Sequence, residues 1–245
     1  LHTSISDILV RAMDLDSPRV FAIEAARAWR SRHRPKRASA RTDHADFFSS
    51  LPDAMLRLRS TTDAAWTTCV LENMNAFLQD HAANERKVAS SALTLATQHP
   101  TRHHLVEAMI DVAREELEHF AQVYALLVAR DMPLATDGPD PYMGRFLSVV
   151  RKRDVNEYLL DRLVAFAIIE ARGCERFGLV GEALPEGDLK LFYQDLTRSE
   201  ARHHALYMRL ARRYFPAEAV EDRLDLLLDH EAAVLSGLPI RPALH

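Results

Sequence analysis

Four glutamates and two histidines sit inside stripes of otherwise apolar residues, and they do so at matched intervals. Glu85 precedes Glu116 by 31 residues and Glu170 precedes Glu200 by 30, while Glu116 and Glu200 each open a Glu-x-x-His that His119 and His203 complete. Each interval has a proline near its middle, Pro100 in the first and Pro185 in the second. A helix rises ~1.5 Å per residue, so a rod running ~22 Å to its turn and a second returning as far bring each glutamate level with its partner motif. The spacing therefore predicts two antiparallel helical hairpins, each delivering one Glu and one Glu-x-x-His to the same height.

The apolar periodicity agrees. Val70, Met74, Phe77, Val88, Ala92 and Leu95 recur at three- and four-residue steps with Glu85 in their row. Leu105, Met109, Val112, Val123 and Leu126 form a stripe interrupted by Glu116 and His119; Leu159, Leu163, Phe166 and Phe177 flank Glu170; Phe192, Leu196, Tyr207 and Leu210 flank Glu200 and His203. Caps and breakers predict helices from Thr61 to about Gln98, from Thr101 to about Asp131, over 154–181 and over 187–214, with a fifth opened by Pro216 and ending near Gly237. The breakers between Pro133 and Gly144 read as a connection. Only seven glycines in 245 residues leave little material for hairpin turns or phosphate loops. The expected class is all-α: a four-helix bundle with additional N- and C-terminal helices.

Residues 60–245 are the predicted bundle, and residues 1–59 a separate extension with a short helix over 17–32. That extension carries a basic run from Arg27 to Arg41, which more often marks a solvated segment than a binding site. Cys69 and Cys174 are too few for a thiolate metal site or a disulfide framework. No apolar run is long enough to span a membrane and no signal-peptide pattern opens the chain, so a cytoplasmic location is expected. The net charge of −4 neither demands nor excludes a nucleic-acid partner.

An unpaired ionised carboxylate on a buried face is prohibitively costly, so four of them need compensation. Chance alone supplies about one Glu-x-x-His in a chain with this Glu and His content, and a lone core His is usually a packing residue, the reading given to His81. The spacing carries the information instead. Glu and His three apart share a helix face, and four Glu with two His make a dinuclear carboxylate set whose charge two divalent ions cancel. Oxygen and nitrogen donors without thiolates suit iron or manganese. The predicted ligands are Glu85, Glu116, His119, Glu170, Glu200 and His203, with Glu116 and Glu200 bridging. Glu175 spoils the matched spacing and is set aside. Glu115 is a candidate hydrogen-bond partner for a ligand imidazole. Cys174 reads as a packing residue and His204, turned about 100° from His203, as exposed.

The order Glu, Glu-x-x-His, Glu, Glu-x-x-His resembles the ferritin-like di-iron superfamily. Within it, residues 62–240 are similar to the tRNA hydroxylases that act on 2-methylthio-N6-isopentenyladenosine. The likeness rests on Asp80-His81-Ala82-Ala83-Asn84-Glu85-Arg86-Lys87, Ala113-Arg114-Glu115-Glu116-Leu117-Glu118-His119-Phe120, Ile169-Glu170-Ala171-Arg172-Gly173-Cys174-Glu175-Arg176-Phe177 and Arg198-Ser199-Glu200-Ala201-Arg202-His203. Arg172, Cys174, Arg176 and Arg202 are the telling positions, since the superfamily pattern alone does not require them.

The resemblance implies a monooxygenase that uses two iron ions and O2 to hydroxylate the isopentenyl side chain in tRNA. It also implies an external electron donor, a reductase or a ferredoxin-like protein. Phe77, Leu163 and Phe166 are candidate walls of an apolar pocket for the prenyl tail. Arg145, Arg151, Lys152, Arg153, Arg172 and Arg202 are candidate RNA contacts. A monomer or small oligomer is expected. The alternatives are a di-metal oxidase or peroxidase acting on a small molecule, and an iron-storage protein.

Overall fold

Asp63 opens the first helix because its carboxylate accepts the Ala65 N–H at 2.7 Å, satisfying one of the otherwise unpaired donors of a helix N-terminus. The computed structural model describes residues 58–245, so the helix expected over 17–32 and the basic run lie outside the described residues. Among the described residues every regular element is helical: α1 Ala64–Glu72, α2 Met74–Gln98, α3 His103–Val128, α4 Pro141–Phe146 with a 3-10 turn Leu147–Val149, α5 Val155–Ala183, α6 Asp188–Tyr214 and α7 Ala217–Ser236.

Two boundaries differ from the sequence expectation. The helix expected to run unbroken from Thr61 to Gln98 divides at Asn73. There the Asn73 side-chain amide donates to the Cys69 carbonyl at 2.9 Å and its backbone N–H turns to Val70. A side chain that competes for backbone acceptors ends the ladder without any Pro or Gly. The stretch read as a connection contains α4, because Asp140 caps Met143 N–H at 2.9 Å and Pro141 occupies the first turn.

Helices α2 and α3 pack closely as one hairpin and α5 and α6 as another, while across the seam α3 and α6 make the main backbone approach. The result is the expected four-helix bundle. α7 lies along α5, and α1 bridges α5 and α2. The apolar core is in two parts. One gathers Leu95, Leu105, Met109, Leu163, Tyr207 and Leu227; the other gathers Trp66, Phe77, Leu78, Val123, Phe177 and Leu196. On all four bundle helices the polar residues singled out by spacing fall between these two parts, and apolar packing above and below holds them in place.

Helix α5 is buried along most of its length and carries charge into the interior. Arg172, wholly buried, donates to Glu231 of α7 through Nε at 2.9 Å and Nη2 at 3.0 Å, and to the Ser60 carbonyl at 2.9 Å. It also pairs with Glu175. Asp161 is shared by Arg151 and Arg223 at 2.7 and 2.6 Å. No described helix is long and apolar enough to cross a membrane.

Candidate metal centre

Glu85 comes from α2, Glu116 and His119 from α3, Glu170 from α5, and Glu200 and His203 from α6. All six converge. Glu85, Glu116, His119 and Glu200 offer ligand atoms within 4.8 Å of one another, and so do Glu116, Glu170, Glu200 and His203. The two groups share Glu116 and Glu200, one residue from each hairpin. The four glutamates border a void of about 20 Å³, enough for one water-sized sphere. Five of the six are buried, and the His119 side chain is 12% exposed.

Polar atoms in this void lack protein partners. Glu116 Oε1, Glu170 Oε1, Glu200 Oε1 and His203 Nδ1 are buried without a hydrogen bond. His203 Nδ1 stands 2.8 Å from Glu116 Oε1 but without hydrogen-bond alignment. His119 Nδ1 lies 3.3 Å from Glu116 and 3.7 Å from Glu85. Burial, then the charge of Glu200, drives Glu170 well above the ordinary carboxylate range; burial and the charge of Glu85 raise Glu116 as well. Burial opposes protonation of His203, yet its hydrogen bond to Glu115 and the close Glu116 carboxylate prevail and push it up to about 10. Burial would also raise Glu85, but the adjoining Glu116, His119 and His81, the last hydrogen-bonded to it, leave it lowered. Four carboxylates thus face one another across a space where cations would relieve their repulsion. Orphaned donors of this kind fit a divalent metal pair, which would satisfy them and cancel four carboxylate charges.

The flanking residues divide clearly. Glu115 accepts from His203 Nε2 at 3.2 Å and Arg202 at 3.3 Å, and its hydrogen bond with His203 holds it down to about 2. His81, read from sequence as a packing residue, places Nε2 2.6 Å from Glu85 Oε1 within a nest of Phe77, Phe177, Phe192 and Tyr193. Sequence reasoning missed this grip on Glu85, although an imidazole four residues before a candidate ligand signals it. Glu175 is turned away, bound to Thr62 and Arg172. Cys174 is buried and donates to the Thr197 carbonyl at 3.3 Å. The expectation of an exposed His204 is wrong: it is 2% exposed, with Nδ1 2.8 Å from the Ala167 carbonyl, because at this level α6 meets α5 on the His204 flank and α3 on the His203 flank.

A chamber of about 330 Å³ adjoins the void, within the size range of small-molecule sites. Val88, Met143, Phe166 and Ile169 give it apolar walls, with Lys87, Ser91 and Asp140 among its polar ones. Asn84, Val88, Ile169 and His245 border both spaces. Of the expected wall residues only Phe166 lines the chamber; Phe77 and Leu163 are spent in the two apolar cores. Asn84 and Lys87 lie in a segment that carries the family likeness but were given no role there, and His245 had no sequence signal, since nothing local shows which way a cavity opens.

Among the basic candidates, Arg145, Lys152 and Arg153 are exposed. Arg151 is committed to Asp161 and Glu157. Arg172 is removed as an RNA contact: buried between Glu231 and Glu175, it reaches no phosphate. Arg202 is exposed but lies beside Glu115, at the imidazole side of the cluster.

Comparison with known proteins places this geometry. The family model described as tRNA-(MS2IO6A)-hydroxylase (MiaE) matches residues 49–245. A tRNA 2-(methylsulfanyl)-N(6)-isopentenyladenosine(37) hydroxylase from Pseudomonas putida is 38% identical over 166 residues, 68% of this chain and 80% of the relative. One of the same name from Salmonella typhimurium is 36% identical over 170 residues, 65% of this chain and 62% of the relative. Among solved structures, a protein from Synechococcus described as having aldehyde deformylating oxygenase activity superimposes with a TM-score of 0.72 at 36% identity, covering 76% of this chain and 93% of that one. With four helices presenting a buried Glu and His cluster able to bind metal, and a family model spanning the whole described bundle, the chain belongs to the MiaE family of tRNA hydroxylases.

Proposed function

We propose that the protein is a di-iron monooxygenase that hydroxylates the isopentenyl side chain of 2-methylthio-N6-isopentenyladenosine in tRNA. One observation carries the reading: a cluster of metal donors opens into an apolar chamber of prenyl size, in a chain that matches relatives named for this reaction. Glu116 and Glu200, common to both donor groups, would bridge the ions, with Glu85 and His119 completing one position and Glu170 and His203 the other. Iron bound there supplies the activation of O2. The reaction balances as one C–H bond and O2, with two electrons and two protons, giving C–OH and water, so an external electron donor is required.

The chain's own residues do the rest. Val88, Phe166 and Ile169 receive the apolar tail and exclude bulk water from the cluster. Glu115 fixes the ring of His203, and His81 fixes the carboxylate of Glu85. Lys87 in the chamber wall is the cation nearest a bound tail, and the exposed Arg145, Lys152 and Arg153 remain candidates for phosphate contact. Mass spectrometry of digested tRNA tests the reading. Cells lacking the protein should accumulate the prenylated, non-hydroxylated nucleoside; an unchanged hydroxylated fraction refutes it.

A further inference from the structure

His245 is held in place by four elements at once. Trp66 Nε1 of α1 donates to the Ala243 carbonyl at 3.0 Å, and Arg176 Nη1 of α5 to the Leu244 carbonyl at 2.7 Å. Leu244 N–H donates to Asp80 Oδ2 of α2 at 2.7 Å, and the His245 ring stacks on Tyr142 of α4 with centroids 4.9 Å apart and planes at 16°. Three of these bonds fix backbone rather than side chain, so they serve to place what residues 243–245 present. What they present is an imidazole whose two ring nitrogens are both buried and without a well-formed hydrogen bond. Burial prevails over the charge of Asp140 and, with Arg176 and Arg172, keeps that ring neutral, its pKa pushed down to about 3.

The location narrows its partner. His245 is one of four residues bordering both the carboxylate void and the chamber; of its neighbours at that junction Val88 and Ile169 are apolar, and Asn84 gives its amide N–H groups to Asp80. A neutral imidazole has one donor and one acceptor. A prenyl methyl can satisfy neither, whereas an alcohol can satisfy either. The end of a chamber-bound tail that meets the cluster is the end that becomes oxygenated.

We infer that His245 is a product-recognition residue that hydrogen-bonds the new hydroxyl of the hydroxylated prenyl group at the junction of chamber and cluster. This rests on the hydroxylase reading and adds to it a residue that tells product from substrate.

The test is binding, not turnover. Iron-loaded protein, without an electron donor, is titrated by fluorescence anisotropy with three RNA stem-loops carrying adenosine, its prenylated form or the hydroxylated prenyl form. Wild type should bind the hydroxylated RNA about five- to tenfold more tightly than the prenylated one, as one added hydrogen bond provides. H245F keeps the ring stack on Tyr142 without a polar atom and should bind the two equally; H245L should do the same, independently of ring packing. H245Q, with a donor and an acceptor, should retain the preference. Circular dichroism and melting curves confirm the fold of each. An undiminished preference in folded H245F or H245L overturns the assignment, as does an equal loss of affinity for both RNAs. Wild type that does not distinguish prenylated from unmodified RNA instead refutes the chamber as a prenyl site, and the role of His245 with it.

Discussion

Replacing Glu231 with Ala should destabilise the bundle far more than an ordinary surface change, and the structure sets the size of the effect. Glu231 accepts two bonds from Arg172, at 2.9 and 3.0 Å, and one from the Tyr142 hydroxyl at 3.1 Å, and all three residues are fully buried. Removing one member of a buried ion pair costs about 3–5 kcal/mol, because the remaining charge is left in a low-dielectric interior. The stranded Tyr142 hydroxyl adds about 1 kcal/mol. Arg172 keeps Glu175 and the Ser60 carbonyl as acceptors, which brings the total toward the lower end, about 4 kcal/mol. At ~2–4 °C per kcal/mol for a chain of this size, the melting temperature should fall by ~8–16 °C. Urea unfolding followed by far-UV circular dichroism measures the free energy directly. The paired replacement R172M with E231M removes both charges and fills similar volume, so it should recover most of the loss. E231A costing less than about 1 kcal/mol, or a double variant no better than E231A, would refute the idea that a buried charge on α5 depends on this carboxylate.

Other expectations follow from the cluster. Elemental analysis should find both metals absent from E116A and E200A, whose side chains belong to both donor groups, but about one retained in E85A or E170A; equal loss in all four would contradict the shared-ligand arrangement. E115A should weaken metal affinity by roughly 10–100-fold in a competition titration with a chelator, because His203 loses the partner of its outer nitrogen. The Cys174 thiol, pushed up to about 12 chiefly by burial, stays protonated at pH 8, so intact-mass spectrometry should find it unalkylated in native protein and alkylated after denaturation.

The hairpins and the six donors were readable from the sequence because both follow from helical rise and one-dimensional spacing. Glu85 and Glu116 meet for the same reason that Pro100 lies midway between them. What escaped were relations that no local period records. Asn73 breaks a helix through its own side chain, in a stretch where the hydrophobic pattern continues. Arg172 looked available for RNA because its partner, Glu231, lies 59 residues away on α7. His204 looked exposed because a helix buried on two flanks cannot be told from one buried on a single flank by the direction of one residue. His245 could not be placed from sequence at all, since its position depends on Trp66, Asp80 and Arg176 gripping the backbone beside it.

The donors are not distributed evenly around the cluster. Helices α2 and α5 contribute glutamate alone and, with α4, the loop before it and His245, enclose the chamber; α3 and α6 contribute both imidazoles, backed by Glu115 and Arg202 at the surface. The centre therefore has a front and a back. A substitution at Glu115 or Arg202 acts on the cluster from its imidazole side and leaves the chamber walls untouched.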